Sequence, residues 1–160
     1  MPSQVVIRIK CDQYLIRFLE SLYGESPISF PAKSNFNMML DLFLEQRPLD
    51  YHEAPHYGKN TLKVRLPYFD TKNVDYYNYL SEKKQQVFVK EVWKFFKITF
   101  RSFVSQHIVL GLDKKDAIDL FIEKHKLPVD IWDSLEKDFQ RYLKLRSKRK
   151  LSRKSKNMSV

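Results

Sequence analysis

His52-Glu53-Ala54-Pro55-His56 matches H-E-x-x-H. With that spacing a helix turns two imidazoles toward one zinc ion and sets a glutamate beside the bound water. The chemistry needs the helix. Pro55 sits between the histidines, where its ring would collide with the preceding turn, and Pro48 and Gly58 flank the stretch. No third ligand stands in a fitting context, so residues 48–60 are expected to form a polar surface loop with two incidental histidines. No metal or cofactor is expected.

Tyr68, Tyr76, Tyr77 and Tyr79 can stack on unpaired bases or pin a loop to the body. A tyrosine nucleophile would need an arginine and histidine constellation, which cannot be assembled from this sequence. Asp50, Asp70 and Asp75 are the acids from which a site of distant parts could be built. His107 and His125 lack an evident acidic or hydroxyl partner and are expected to be partly buried or to cap helices. With no phosphate-cradling glycine loop and no nucleophile-base pair, an enzyme is not expected. Cys11 is the single cysteine, which excludes an intramolecular disulfide and a cysteine metal cluster.

The strongest chemical signal is electrostatic. The chain of 160 residues has 29 Lys and Arg against 19 Asp and Glu, a net charge of +10. Nine of those cations fall from Arg141 onward, and no acid follows Asp138, so the first 140 residues are nearly neutral. Such a block binds polyanions by releasing counterions from phosphates, with affinity that collapses as salt rises. Lys137, Arg141, Lys144, Arg146, Lys148, Arg149, Lys150, Arg153 and Lys154 are the candidate phosphate contacts. Gln140 is the candidate base reader, because an amide can pair bidentately with adenine. Asp133, Glu136 and Asp138 oppose this reading, since acids on the front half of the same helix repel phosphate.

These groups need a frame. Val5–Lys10 and Thr61–Leu66 alternate apolar and basic residues and predict two paired strands. Arg8, Lys10, Lys63 and Arg65 would lie on their outer face. Asp12 and Gly24 bound a helix over 13–23, and a second helix is predicted from about Asn35 to Gln46. The longest helix runs from Ser81 to near Leu110. Its apolar stripe is wide, from Val87 and Phe88 through Trp93 to Ile108, and Lys83, Lys84, Lys90, Lys94, Lys97 and Arg101 line its other face. Asp113 can cap a helix that ends at Leu127-Pro128, and Asp130 can cap another reaching Lys144. The two suit either a helix-turn-helix or a plain αα-hairpin.

The predicted fold is thus α+β and predominantly α: about five helices around a long central one, a two-stranded ribbon, and a C-terminal helix-turn-helix-like hairpin. Residues 1–112 form the body, 113–145 the hairpin in the same globular unit, and 146–160 a flexible basic tail. MPSQVVIRIK lacks the apolar run of a secretory signal, and charges interrupt residues 87–110, so a cytoplasmic protein without a membrane span is expected.

Leu22-Tyr23-Gly24, Arg65-Leu66-Pro67 and the closing Asp116-Ala117-Ile118, Phe121-Ile122-Glu123-Lys124, Leu135 and Arg141-Tyr142 carry a resemblance. Over most of its length the chain is similar to small DNA-associated accessory proteins of phages and mobile elements of Bacteroides-type bacteria. The resemblance implies a DNA-related accessory role, in a host cytoplasm or a virion, and no particular binding residue. The expected partner is nucleic acid, DNA before RNA. The alternatives are an assembly protein that makes homo-oligomer or subunit contacts while its tail touches packaged nucleic acid, and an RNA-binding protein.

Overall fold

The computed structural model describes residues 2–52 and 56–159. Glu53, Ala54 and Pro55 of the H-E-x-x-H stretch lie outside them. The chain divides into two compact units, one ending at Phe96 and one beginning at Lys97. The division falls inside the long helix, whereas the sequence reading placed residues 1–145 in one globular unit; each half of that helix gathers its own hydrophobic core.

In the first unit, β1 (Pro2–Lys10) pairs antiparallel with β3 (Thr61–Pro67), with Arg8 opposite Lys63 and Ile9 opposite Leu62. Ile7, Ile9, Leu62, Val64 and Leu66 are buried on one face, as the alternation predicts. Ile28 joins the free edge of β3: its N–H donates to Lys63 O, and it accepts from Arg65 N, both at 2.9 Å. Helix α1 (Gln13–Tyr23) follows Asp12, whose backbone carbonyl accepts from Leu15 and Ile16 but whose side chain makes no cap bond. Gly24, at φ 99°, ends it.

Helix α2 (Asn35–Phe43) is shorter than predicted. Glu45–Gln46 leave it to form β2, which pairs with β4 (Tyr77–Tyr79). Two lysines take the carbonyls that the early ending exposes. Lys72 Nζ donates to Leu44 O at 2.8 Å and also to Asp41 O, and Lys84 Nζ donates to Phe43 O at 3.4 Å. The core is aromatic: Phe18 meets Phe96 edge-on at 5.1 Å, Phe30 meets Phe36 at 5.3 Å, and Phe36 meets Phe88 at 5.7 Å. Such pairs each add about 0.5–1.5 kcal/mol beyond their buried area.

Helix α3 (Glu82–Val109) buries every fourth residue, Phe88, Val92, Phe96, Phe100 and Val104. Val87, Trp93 and Ile108, assigned to its apolar stripe from sequence, are substantially exposed. The predicted basic face is largely consumed by ion pairs: Lys84 with Glu45 at 2.5 Å, Lys94 with Glu91 at 2.7 Å, and Lys97 and Arg101 with Asp138.

In the second unit, Lys97–Val109 packs with α4 (Lys114–His125) and α5 (Trp132–Met158). Phe100, Phe121 and Phe139 form its centre, with Phe100 and Phe121 at 5.1 Å. Asp113 caps α4 as predicted, accepting from Asp116 N at 2.8 Å. The helix stops ahead of Leu127-Pro128, as expected: its C-cap Lys126 turns left-handed at φ 51° and lets Leu127 fold back to donate to Ile122 O at 3.0 Å. Asp130 does not cap α5. It lies in a 3-10 turn, Val129–Ile131, and α5 begins at Trp132 without a side-chain cap. No helix among the described residues is long and apolar enough to cross a membrane.

Residues 146–158, expected as a flexible tail, continue α5 without a break. Lys, Arg and Leu are good helix formers, and the run contains neither Gly nor Pro. Like charge argues for solvation of this segment, and solvation is compatible with a helix.

His125 is 2% exposed and lies 4.5 Å from the Phe121 ring. Burial, with a contribution from the Lys124 charge, pulls its pKa down to about 4. Its folded pKa is below the unfolded value, so the unfolded chain binds the extra proton between the two. Stability should therefore be full above about pH 6.5 and decline as pH falls toward about 4. Urea melts across this range should show that decline, and His125→Gln should flatten it. Phe100→Ala should cost about 3–5 kcal/mol in the same assay.

Candidate nucleic-acid interface

The hairpin of α4 and α5 is antiparallel. Trp132 Nε1 donates to Asp119 Oδ1 at 2.8 Å, and Lys114 Nζ pairs with Glu136 at 2.8 Å, so contacts move back along α4 as they advance along α5. Against α3, the helix α5 runs in the same direction. Arg101 reaches Asp138 and also lies 5.3 Å from the Tyr142 ring, while Arg146 shares a shallow depression with Ser105, Gln106, Val109 and Leu110. Beyond Tyr142, every described residue of α5 is exposed.

All ten residues assigned from sequence as nucleic-acid contacts, Lys137, Gln140, Arg141, Lys144, Arg146, Lys148, Arg149, Lys150, Arg153 and Lys154, are exposed on this one helix. At 100° per residue, Lys137, Arg141, Lys144 and Lys148 fall in one stripe about 60° wide, opposite the buried Leu135 and Phe139. From Arg146 onward, Arg146, Arg149, Lys150 and Arg153 continue the side that Leu135 and Phe139 bury farther back. The helix is basic on one side near Lys137 and on all sides near Arg153. From Lys137 to Lys154 the array spans about 26 Å.

The acids that opposed this reading are mostly neutralised within the unit. Asp138 is turned inward: Lys97 Nζ donates to Oδ1 at 2.5 Å, Arg101 Nη2 to Oδ1 at 2.8 Å and Arg101 Nε to Oδ2 at 2.9 Å. Burial alone would raise the Asp138 carboxyl. The hydrogen bonds and charges of Arg101 and Lys97 outweigh that and hold it below its ordinary value. Glu136 pairs with Lys114 and also accepts from Gln140 Nε2 at 3.4 Å, which places the Gln140 amide beside an acid. Asp133 is exposed. The sequence showed the cations of α3 and the acids of α5 without showing that they meet. An acid on the buried stripe of α5, two turns into a helix, was the available signal.

The other candidates separate. Cys11 is buried, and burial, with the Asp12 charge, pushes its thiol up to about 12, far from a thiolate at neutral pH. His52 is exposed, and His56 Nδ1 accepts from Gly58 N at 3.3 Å. Among the described residues no three His, Cys, Asp or Glu side chains gather as metal ligands; Asp50, Asp70 and Asp75 are all exposed. His107 stacks on Phe103 at 4.0 Å and donates from Nδ1 to Phe103 O at 2.8 Å. Tyr68 and Tyr76 are exposed, whereas Tyr79 packs edge-on against Tyr51 at 5.2 Å. Arg8, Lys63 and Arg65 are half-buried on the outer face of the ribbon, and Lys10 is exposed over the Tyr57 ring at 5.6 Å.

No protein family, curated protein or solved structure matches the chain.

Asp138→Asn should leave Lys97 and Arg101 without a counter-charge and destabilise the protein by about 2–3 kcal/mol, less than a fully dry pair because both cations are partly exposed. The loss should shrink as pH falls through the carboxyl's folded value, where the wild type also loses the charge. Asp133→Asn should stay within about 0.5 kcal/mol. Chemical denaturation of the two variants checks both.

Proposed function

We propose that the protein is a non-enzymatic nucleic-acid-binding protein that grips duplex DNA through α5. The observation that carries this reading is the exposed basic array from Lys137 to Lys154, on a helix whose Asp138 is turned inward against two cations. Lys and Arg arranged around a helix contact phosphates and carry no base information. Affinity therefore comes from backbone charge, and Gln140 is the one candidate for reading a base edge. The antiparallel hairpin favours the overhanging C-terminal length of α5, not its first turn, as the contact surface. The resemblance in the closing segment points toward DNA before RNA.

The helix itself links binding to order. Lys137 and Arg141, Lys144 and Lys148, Arg146 and Lys150, Arg149 and Arg153, and Lys150 and Lys154 are like-charged i,i+4 pairs. Each disfavours the helix by about 0.2–0.5 kcal/mol. Phosphates between these side chains relieve that repulsion.

Labelled duplex DNA should bind full-length protein with log affinity falling linearly against log salt, at about −0.9 per phosphate contacted. Replacing Arg146, Lys148, Arg149, Lys150, Arg153 and Lys154 with Gln should lower both the affinity at low salt and the slope, while the melting temperature does not fall, since the variant also removes like-charge repulsion along the helix. Duplex binding with an unaltered slope in that variant would remove α5 from the site. Competition with single-stranded DNA and RNA should show the duplex preferred, and reversal of that order would favour an RNA ligand.

A further inference from the structure

The basic run of α5 carries four hydroxyls, Ser147, Ser152, Ser155 and Ser159, that contact with DNA phosphates does not use. Their surroundings differ. Ser155 Oγ donates to Ser152 O and Ser159 Oγ to Ser155 O, both at 2.9 Å, so these two are turned back on the helix. Ser147 stands between Leu143 and Leu151, one turn away on either side. Ser152 stands among cations. One shallow depression on α5 is lined by Leu145, Lys148, Arg149, Ser152, Arg153 and Lys156, all exposed. Lys148 and Arg149 lie one turn before the serine, and Lys156 lies one turn after it. Of all the serines and threonines in the chain, Ser152 alone has an arginine three residues before it.

Protein kinases choose substrates by charge pattern, and a cation one turn ahead of the acceptor suits an acidic substrate groove. The like-charged i,i+4 pairs of α5 weaken the helix there, and its exposed end can open into such a groove. A phosphate on Ser152 adds a charge of about −1.5 to −2 at neutral pH. Around the helix axis Ser152 lies about 20° from Arg141 and about 40° from Lys148, so that charge falls on the Lys137–Lys148 stripe. It pairs with Lys148, Arg149 and Lys156 in cis and repels phosphates of a duplex. We infer that Ser152 is a phosphorylation site for an arginine-directed serine/threonine kinase, and that its phosphate releases duplex DNA from α5. The release rests on the reading of α5 as the DNA contact; the site rests on the residues around Ser152. In the transfer, Ser152 Oγ bonds to the γ-phosphorus of ATP and the bond from that phosphorus to the bridging oxygen breaks. ADP leaves with the electron pair, and the hydroxyl proton passes to the base of the kinase.

Full-length protein treated with ATP and cAMP-dependent protein kinase, an arginine-directed enzyme, tests the site. Mass-spectrometric mapping should find the phosphate on Ser152, and Arg149→Ala should slow its addition at least about tenfold. Full-length protein made with phosphoserine at position 152 tests the release without relying on any kinase. It should bind labelled duplex DNA at least about tenfold more weakly at low salt, with a shallower salt slope. Circular dichroism should show no loss of helix, which separates lost charge from lost structure. Ser152→Ala should bind duplex like the wild type before and after kinase treatment. The inference is overturned if Ser152 takes no phosphate, or takes it after Ser147 or Ser155, or if phosphoserine at 152 leaves duplex affinity and slope unchanged. Absence of duplex binding by the unmodified protein would overturn the α5 reading and the release with it, while the phosphate map would still decide the site.

Discussion

The Asp138 carboxylate, held between Lys97 and Arg101, sets how the second unit presents itself. It lies on α5 among Leu135 and Phe139, where an unpaired acid would be expensive, and its two partners come from one face of α3. Hydrophobic packing of Phe100, Phe121 and Phe139 supplies most of the driving force, but packing alone tolerates small slides between helices. A carboxylate that receives three directed hydrogen bonds does not. With that register set, α5 runs beside α3 and continues past its end, so the basic residues beyond Tyr142 stay exposed to water. The same contact removes the one acid nearest the array from its surface.

The first unit uses lysine differently. Lys72 and Lys84 satisfy carbonyls at the end of α2, which frees Glu45–Gln46 to pair with β4. That pairing brings Arg47 beside Asn78 and carries Tyr79 to Tyr51. The Tyr51–Tyr79 pair is therefore a consequence of where α2 stops.

Much of this fold was legible as pattern. Strand alternation in 5–10 and 61–66, the cap at Asp113, the stop at Gly24 and the five helices all follow from local periodicity and punctuation. The exposed cations of α5 were legible as composition. What could not be read was anything joining residues far apart in sequence. Arg47, Tyr51 and Tyr79 look like an ordinary loop and strand until β2 and β4 pair. Lys97 and Arg101 look like a solvated face until Asp138 meets them. The end of α2 was missed because a tertiary demand overrode the local signal: Glu45 and Gln46, expected to close the helix, join a sheet instead. The tail was read from charge alone, whereas helix propensity and the continuity of α5 decide its conformation.

Ile28 has a role larger than its single residue suggests. A two-stranded ribbon leaves an outer row of backbone donors and acceptors on each strand, and such a row is a template for a strand from another chain. At β3 the row is interrupted in its middle: Lys63 O and Arg65 N are both engaged by Ile28, whose side chain is buried beneath. An incoming strand would have to displace a residue anchored in the core before it could pair. This one bridge guards the β3 edge of the ribbon against pairing with a strand from another copy of the chain.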